Sequence, residues 1–522
     1  MQRYAWASAF ATAFILLAAG ASAQLEPVGS EIQVNAATPG SQAAPAAAAG
    51  PSGQHAVAWQ GPGDDTDVWI QVWDADGAIL LPELRVNSFL SNCQQAPALS
   101  FAPDGGFVVV WQSDGQDGSG WGIFAQRFDE DGSLAGPEFQ INATTSGDQR
   151  APAVAHGPSG SFTVVWKSEG QDGDSWGVYA RRFDASGPLS GEVQAAASGA
   201  ASGAGDQRRP AVTVQPTGHV VMVWEGPDGS GPGIFLRRFA PDLTAPGAEV
   251  QVNETSNGFQ VLPSLAADGS GNVIIAWEHA SDIQARRLDR LLAPLGSSFV
   301  VNSTTPGLQT RPRVGSSGSG DFLISWEGWS QDEGGPGAFA RRFDFRMQPE
   351  SPDFPLNTFV PGPQLRPALA VSPNGDVLAA WESEGQDGDG LGVFAQRYVL
   401  PGLDFHTLVP CRVFDTRSGP PLQSGTERIF QVAGICGIPV TARAVSVNLT
   451  AVNAASGGEV VMYPGDLQTP GTSSGNFVPD RARANNAILA LARNGNGKLA
   501  ARALVGGSGT VHLILDVNGY FE

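Results

Sequence analysis

Beyond its first two dozen residues the chain has no apolar run long enough to cross a membrane as a helix. It also has no phosphate-binding glycine loop, no dinucleotide fingerprint and no cysteine pair at zinc-site spacing. Its six histidines, at 55, 156, 219, 279, 406 and 512, show no metal-ligand spacing. Gly471 to Gly475 matches G-x-S-x-G formally, but no strand-to-helix elbow surrounds it. No catalytic constellation is legible. Positive charge is scarce as well, with 30 Lys and Arg against 51 Asp and Glu. The resulting net charge of -21 argues against nucleic acid or anionic lipid as partner. From Asp404 onward eight acids meet nine bases, so the whole excess lies before that point.

What the chain does have is one unit repeated. Gln, then Pro three residues later, then Trp seventeen residues after the Gln recurs at Gln42/Pro45/Trp59, Gln94/Pro97/Trp111, Gln149/Pro152/Trp166 and Gln207/Pro210/Trp224. It continues at Gln260/Pro263/Trp277, Gln309/Pro312/Trp326 and Gln364/Pro367/Trp381. Fixed spacing within a unit and drift between units mark a supersecondary repeat. Gly 67 and Pro 38 fall at its turns, so the composition reads as periodic structure and not as disorder.

Each unit reads as four short strands. One follows Q-x-x-P, and one carries the Trp. A third follows an Asp/Gly-rich loop, and a fourth ends in V-N, as at Asn87, Asn253 and Asn302, or in its variants I-N at Asn142 and L-N at Asn357. The Trp strand is apolar on both faces, which requires a sheet covered above and below. About fifty residues and four strands per unit specify a propeller blade. The expected fold is all-β: a seven-bladed β-propeller over 31–398 followed by a small β-rich, sandwich-like domain over 404–522. A V-N strand before the first unit, Glu31 to Asn35, is unmatched, and the seventh unit lacks one. The first is expected to complete the last blade and leave no open edge.

Residues 1–23 read as an export signal, with Arg3, an apolar run to Ala19 and a small-residue cleavage site at Ala21-Ser22-Ala23. Residues 24–30 and 399–403 read as linkers. The mature chain is expected outside the cytoplasm, as a monomer. Glu225, Glu278, Glu327 and Glu382 each follow a blade Trp, and Arg238, Arg287, Arg342 and Arg397 lie on third strands. Cross-strand ion pairing accounts for both sets. The Gln of each marker is expected to satisfy backbone groups at the start of the innermost strand.

The candidate ligand-binding residues lie in loops after the blade Trp, because these loops vary in length on a rigid scaffold. Asp114, Gln116 and Asp117 lie in one; Glu169, Gln171, Asp172 and Asp174 in the next; Glu384, Gln386, Asp387 and Asp389 in the last unit. Hard oxygen ligands among glycines suit Ca²⁺, although hairpin turns favour Asp and Gly in any case. Trp121 and Trp176 end two of these loops and could stack on sugar rings or pack on a neighbour.

The units GGFVVVWQSDGQDGSGWGIFAQRFDEDG and DVLAAWESEGQDGDGLGVFAQRY resemble repeats of large secreted bacterial proteins, often calcium-associated or adhesin-like. The segment from Asp404, with PCRVFDTR, CGIP and DVNGYF, resembles a small C-terminal module of secreted bacterial proteins. That likeness implies a β-rich accessory domain. Arg412, Asp415 and Arg417 are expected to brace one another there. Three cysteines allow three pairings; Cys411 and Cys436, both in this module, are the expected disulfide, worth roughly 3 kcal/mol by loop entropy. Cys93 is then free. The functional expectation is a non-catalytic binding or adhesion module for an extracellular glycan or protein. The alternative is a polysaccharide-acting hydrolase or lyase, which needs carboxylates converging on one pocket.

Overall fold

The structure is a computed structural model. It describes residues 25–522 except 38, 63–64, 174, 197–204, 333, 401–403, 467–468, 470–472 and 493–495. The expected export signal, Asp174 and part of the second linker lie outside the described residues. Among the described residues, no helix is long and apolar enough to cross a membrane.

Each marker unit folds as an antiparallel sheet with its strands in chain order. The third runs Gln149–His156, Phe162–Glu169 and Trp176–Asp184, with its outer edge in two pieces, Gly187–Pro188 and Val193–Gln194. Among the described residues, seven such sheets precede Asp404. Their first strands lie side by side around an axis, and the first sheet meets the seventh. The ring is a β-propeller.

The Trp strands make it. All seven marker Trp residues are fully buried. Each packs into the blade before it: Trp111 among Ala56, Ala58, Val68 and Ile70, and Trp166 among Val108, Val110 and Ile123. At ~25 cal/mol per Å² and 150–250 Å² per indole, each contributes at most about 4 to 6 kcal/mol. Closure comes from the N-terminus. Pro27–Gln33 pairs antiparallel with Leu391–Val399, Ile32 opposite Ala395. This strand begins inside the segment read as a linker over 24–30. A register shift between Val28 and Ile32 breaks the period-two alternation that would have shown it.

At Q-x-x-P every first strand bulges, because the proline has no N–H for the ladder. The residue before each proline lies at positive φ: Ala44, Ala96, Ala151, Arg209, Leu262, Arg311 and Arg366, between 48° and 57°. Non-glycine residues enter this region only when their surroundings hold them there. At five of the seven the hold comes from the neighbouring blade. The N–H of Ala44 donates to Glu382 at 2.6 Å, that of Ala96 to Gln60 at 3.2 Å and that of Ala151 to Gln112 at 2.9 Å. Leu262 donates to Glu225 at 2.5 Å and Arg366 to Glu327 at 3.1 Å. The acceptor is always the residue after the blade Trp.

This corrects the expected cross-strand pairs. Glu225 lies opposite Ile234, and Arg238 lies opposite Val221, at the far end of the strands. Arg238 instead donates to Gln215, Arg287 pairs with Asp268 at 2.6 Å, and Arg397 reaches the Ala75 carbonyl.

The Gln ring acts as expected. Gln149 donates to the carbonyls of Ser146 and Gly147, while its oxygen accepts from Asn142 at 3.0 Å. Gln42, Gln260 and Gln364 accept from Asn35, Asn253 and Asn357 in the same way. A second inter-blade bond runs outside these. Glu138, Glu192, Asp353 and Glu31, at the heads of outer strands, accept from the backbone N–H groups of Ser88, Ala143, Ser303 and Thr358 in preceding blades.

From Phe405 the chain forms two sheets. Phe405–Asp415, Thr510–Phe521, Ala444–Val452 and Arg483–Ala490 make one; Glu427–Gln431, Lys498–Val505, Gly458–Pro464 and Gly475–Phe477 the other. They enclose an apolar core that includes Val447, Leu499, Leu513 and Leu515. Cys411 and Cys436 are bonded, with Cα atoms 5.9 Å apart, and Cys93 is a free thiol. Asp415 braces Arg412 and Arg417, and Arg412 also holds Asp516 at 2.8 Å. This domain meets the ring through Arg443, which pairs with Asp321 at 2.6 Å and lies 4.9 Å from the Phe345 ring centroid. Those partners sit on turns at the rim opposite the Q-x-x-P ends.

Two outcomes follow from this packing. Glu382 is 1% exposed and holds both the Ala44 N–H and Arg366. Glu382→Ala is expected to cost about 2 to 3 kcal/mol in urea unfolding, because a buried donor and a cation lose their acceptor. Glu382→Gln is expected to cost less than about 1.5 kcal/mol, since Gln60 and Gln112 fill the same role. His55, buried, stands where the other blades carry Phe or Val, and burial, then Arg397, pushes its pKa down to about 4. Its folded pKa lies below its unfolded value, so stability present above about pH 6.5 is lost as pH falls towards 4. His55→Phe is expected to flatten thermal stability across that window; an unchanged slope would remove His55 from the account.

Candidate functional site

In each blade the start of the first strand, the end of the second and the start of the third lie on one rim. Gln149 pairs with Ser168, and Glu169 with Trp176. One face of the ring therefore carries both the axial mouth and the hairpins singled out in the sequence.

The structure places those hairpin residues against the fold's own donors. Asp117 accepts from the Ser119 N–H at 3.0 Å and from Asn142 at 3.3 Å. Asp387 accepts from the Asp389 N–H at 3.2 Å and from Asn35 at 3.1 Å; Asp172 accepts from Gln194 at 3.3 Å. The following strand must have glycine there, because a Cβ on Gly122, Gly177 or Gly392 would lie 2.5–2.6 Å from these carboxylates. Gln116, Gln171 and Gln386 donate to Glu138, Glu192 and Glu31, the outer-strand carboxylates described above. Asp389 accepts from the Gly40 N–H. Asp114, Glu169 and Glu384 end their second strands, opposite Trp121, Trp176 and Leu391. Among the described residues, no three His, Cys, Asp or Glu side chains come together as a metal-ligand group.

The two loop tryptophans each carry a cation. Arg150 lies 4.8 Å from the Trp121 ring centroid and is held by Asp148, which also accepts from the Trp121 N–H. Lys167 lies 4.0 Å from the centroid of Trp176. Both rings are half-buried. Such contacts contribute about 0.5 to 1 kcal/mol at exposed sites.

Inside the hairpins the axis opens into a cavity of about 640 Å³, walled by five of the seven marker prolines and by Arg209, Arg311, Arg313 and Arg366. The sequence reading missed these residues. Three of them are the positive-φ residue before the proline, and the signal that could have found them is Arg in three of seven otherwise equivalent positions. Each pairs within its own blade: Arg209 with Glu225 at 3.0 Å, Arg311 with Glu327 at 3.5 Å and Arg366 with Glu382 at 3.1 Å. The pairs are polarised. The arginine side chains are 52%, 40% and 43% exposed, and the carboxylates 7%, 6% and 1%. Burial, then Arg311, pushes Arg313 down to about 10. Beside the mouth a notch of about 460 Å³ lies between Arg208, Arg209 and Glu225 and the short Pro227–Pro232 hairpin of the fourth blade.

No family model matches this chain, and no curated protein does. Solved structures similar to it include the β-propeller domain of a trilobed protease from Pyrococcus furiosus. It is 9% identical, with 69% of this chain and 94% of that one covered, at a TM-score of 0.41. Another is an α-L-arabinanase from Penicillium chrysogenum complexed with arabinobiose, 11% identical over 62% and 99%, TM-score 0.43. A third is the polysaccharide lyase Uly1, 10% identical over 68% and 90%, TM-score 0.41. The expectation that the chain is not an enzyme is withdrawn on this finding: chains similar to it in structure include enzymes that act on glycans. Identities this low carry no activity or residue role across.

Proposed function

We propose that this is an exported protein that acts on acidic polysaccharide, engaging it at the axial mouth. The observation that supports the reading is the polarity of the three Arg–Glu pairs. A chain of net charge -21 turns guanidinium groups towards its central cavity and buries their carboxylates beneath them. Guanidinium forks suit carboxylate and sulfate groups, which they bind with two parallel hydrogen bonds. The acidic hairpins around the rim repel stray polyanions, so the attraction is confined to the centre.

The test is calorimetry with polygalacturonate and with neutral arabinan at low and high salt, run beside an assay for newly formed chain ends. Polygalacturonate is expected to bind more tightly than arabinan, with affinity falling as salt rises. Replacing Arg366 and Glu382 together by Gln keeps hydrogen-bonding groups in place and removes the charge; it is expected to weaken polygalacturonate about fivefold, roughly 1 kcal/mol. Equal binding of the neutral and acidic polymers would overturn the reading.

A further inference from the structure

One blade breaks the inter-blade pattern. The residue after the blade Trp is an acceptor in six units, namely Gln60, Gln112, Glu225, Glu278, Glu327 and Glu382, and in the third it is Lys167. Five of these acceptors hold the positive-φ N–H of the next blade, and Glu278 accepts from the Thr310 hydroxyl there. Lys167 is a donor and cannot do this. The residue it faces in the next blade is Arg209, itself at positive φ, which adds a guanidinium at the mouth. The substitution is also compositional: Lys167 and Lys498 are the only lysines of the chain, so Lys167 is the propeller's one lysine.

The surroundings concentrate charge of one sign. Arg150 and Arg208 flank the site, each already committed to its own aspartate, Asp148 and Asp206. Arg209 is committed on one side to the buried Glu225. Lys167 is half-buried, fixed over Trp176, and no carboxylate pairs with it among the described residues. Burial lowers its pKa first, then Arg150, Arg208 and Arg209, with Asp148 opposing. A bound anion relieves that repulsion, whereas a neutral sugar does not.

We propose that one carboxylate or sulfate group of the ligand binds between Lys167 and Arg209, at the position where other blades supply a Glu or Gln oxygen. This subsite rests on the reading of the mouth as a site for acidic polysaccharide and fixes where along the ring a charged sugar is held. The third and fourth blades thereby differ from the other junctions, and the fourth-blade notch opens beside them.

The two lysines provide the test. The parent protein is acetylated with a limiting dose of an N-hydroxysuccinimide ester, with and without oligogalacturonate or dextran sulfate, and mapped by mass spectrometry. Lys167 is expected to be protected at least fivefold while Lys498, in the C-terminal domain, labels as before. Protection by oligogalacturonate alone assigns a carboxylate, and protection by dextran sulfate alone assigns a sulfate. Lys167→Gln, which restores the acceptor found in the first two blades, is expected to weaken binding at least fivefold with melting temperature unchanged or raised. If the polymer binds the parent but Lys167 labels equally with and without it, and Lys167→Gln binds like the parent, the subsite is overturned while the axial reading stands. If the parent binds neither polyanion, both fall.

Discussion

The ring depends on a strained residue held from next door. Proline at the fourth position of the marker removes a ladder donor and forces a bulge, and the bulge drives the residue before it into the left-handed region. That conformation costs an L-residue roughly 1 to 2 kcal/mol. That cost is offset where a side chain of the preceding blade accepts the exposed N–H, as Glu382 does for Ala44 and Gln112 for Ala151. A blade therefore reaches its low-energy form only beside its neighbour. The Trp packs across the same boundary, and so do the outer carboxylates that accept from Ser88, Ala143 and Thr358. Three kinds of contact, polar and apolar, all run between blades and not within them. The unit is accordingly cooperative with the ring, and an end blade needs closure as much as an inner one. Pro27–Gln33 supplies that closure against Leu391–Val399.

How much of this the sequence displayed follows from where the periodicity lies. Trp at a fixed interval and an apolar strand on both faces are local patterns, so the repeat, the four-stranded unit and the burial of Trp59 to Trp381 were all legible. The partners of Glu225 and Arg238 were not. Their spacing allows a cross-strand pair only if the strands are read without register, and the register places them at opposite ends. Glu225 pairs instead with Arg209 on the first strand of its own blade and accepts from the Leu262 N–H, which belongs to another blade and lies 37 residues along the chain. Backbone donors of that kind leave no trace in side-chain chemistry. The hairpin carboxylates show the converse. Asp117 and Asp387 have the composition of metal ligands, yet the asparagine that ends the outer strand uses one oxygen of each. Repetition marked both residues, because the fold needs the pair in each blade where it occurs.

A ring of equivalent blades cannot by symmetry favour one place for a ligand. Every feature repeated around it, from buried indoles to Gln–Asn bonds, serves closure and carries little information about recognition. What distinguishes a site on such a scaffold is departure from the repeat at a position the scaffold holds rigidly. The first-strand bulge is such a position, since its backbone is fixed by prolines and by the neighbouring blade. Arg at three of its seven occurrences puts charge at the mouth with little conformational freedom left to lose on binding. Lys167 departs further, exchanging an acceptor that the architecture uses for a cation that it does not. Stability alone favours Gln or Glu there, as in the six other blades. The lysine is retained at a junction where Arg150, Arg208 and Arg209 already crowd, so its cost is electrostatic as well as structural. Sites that work against local stability in this way are where function is most reasonably sought, because a ligand of opposite charge removes the cost when it binds.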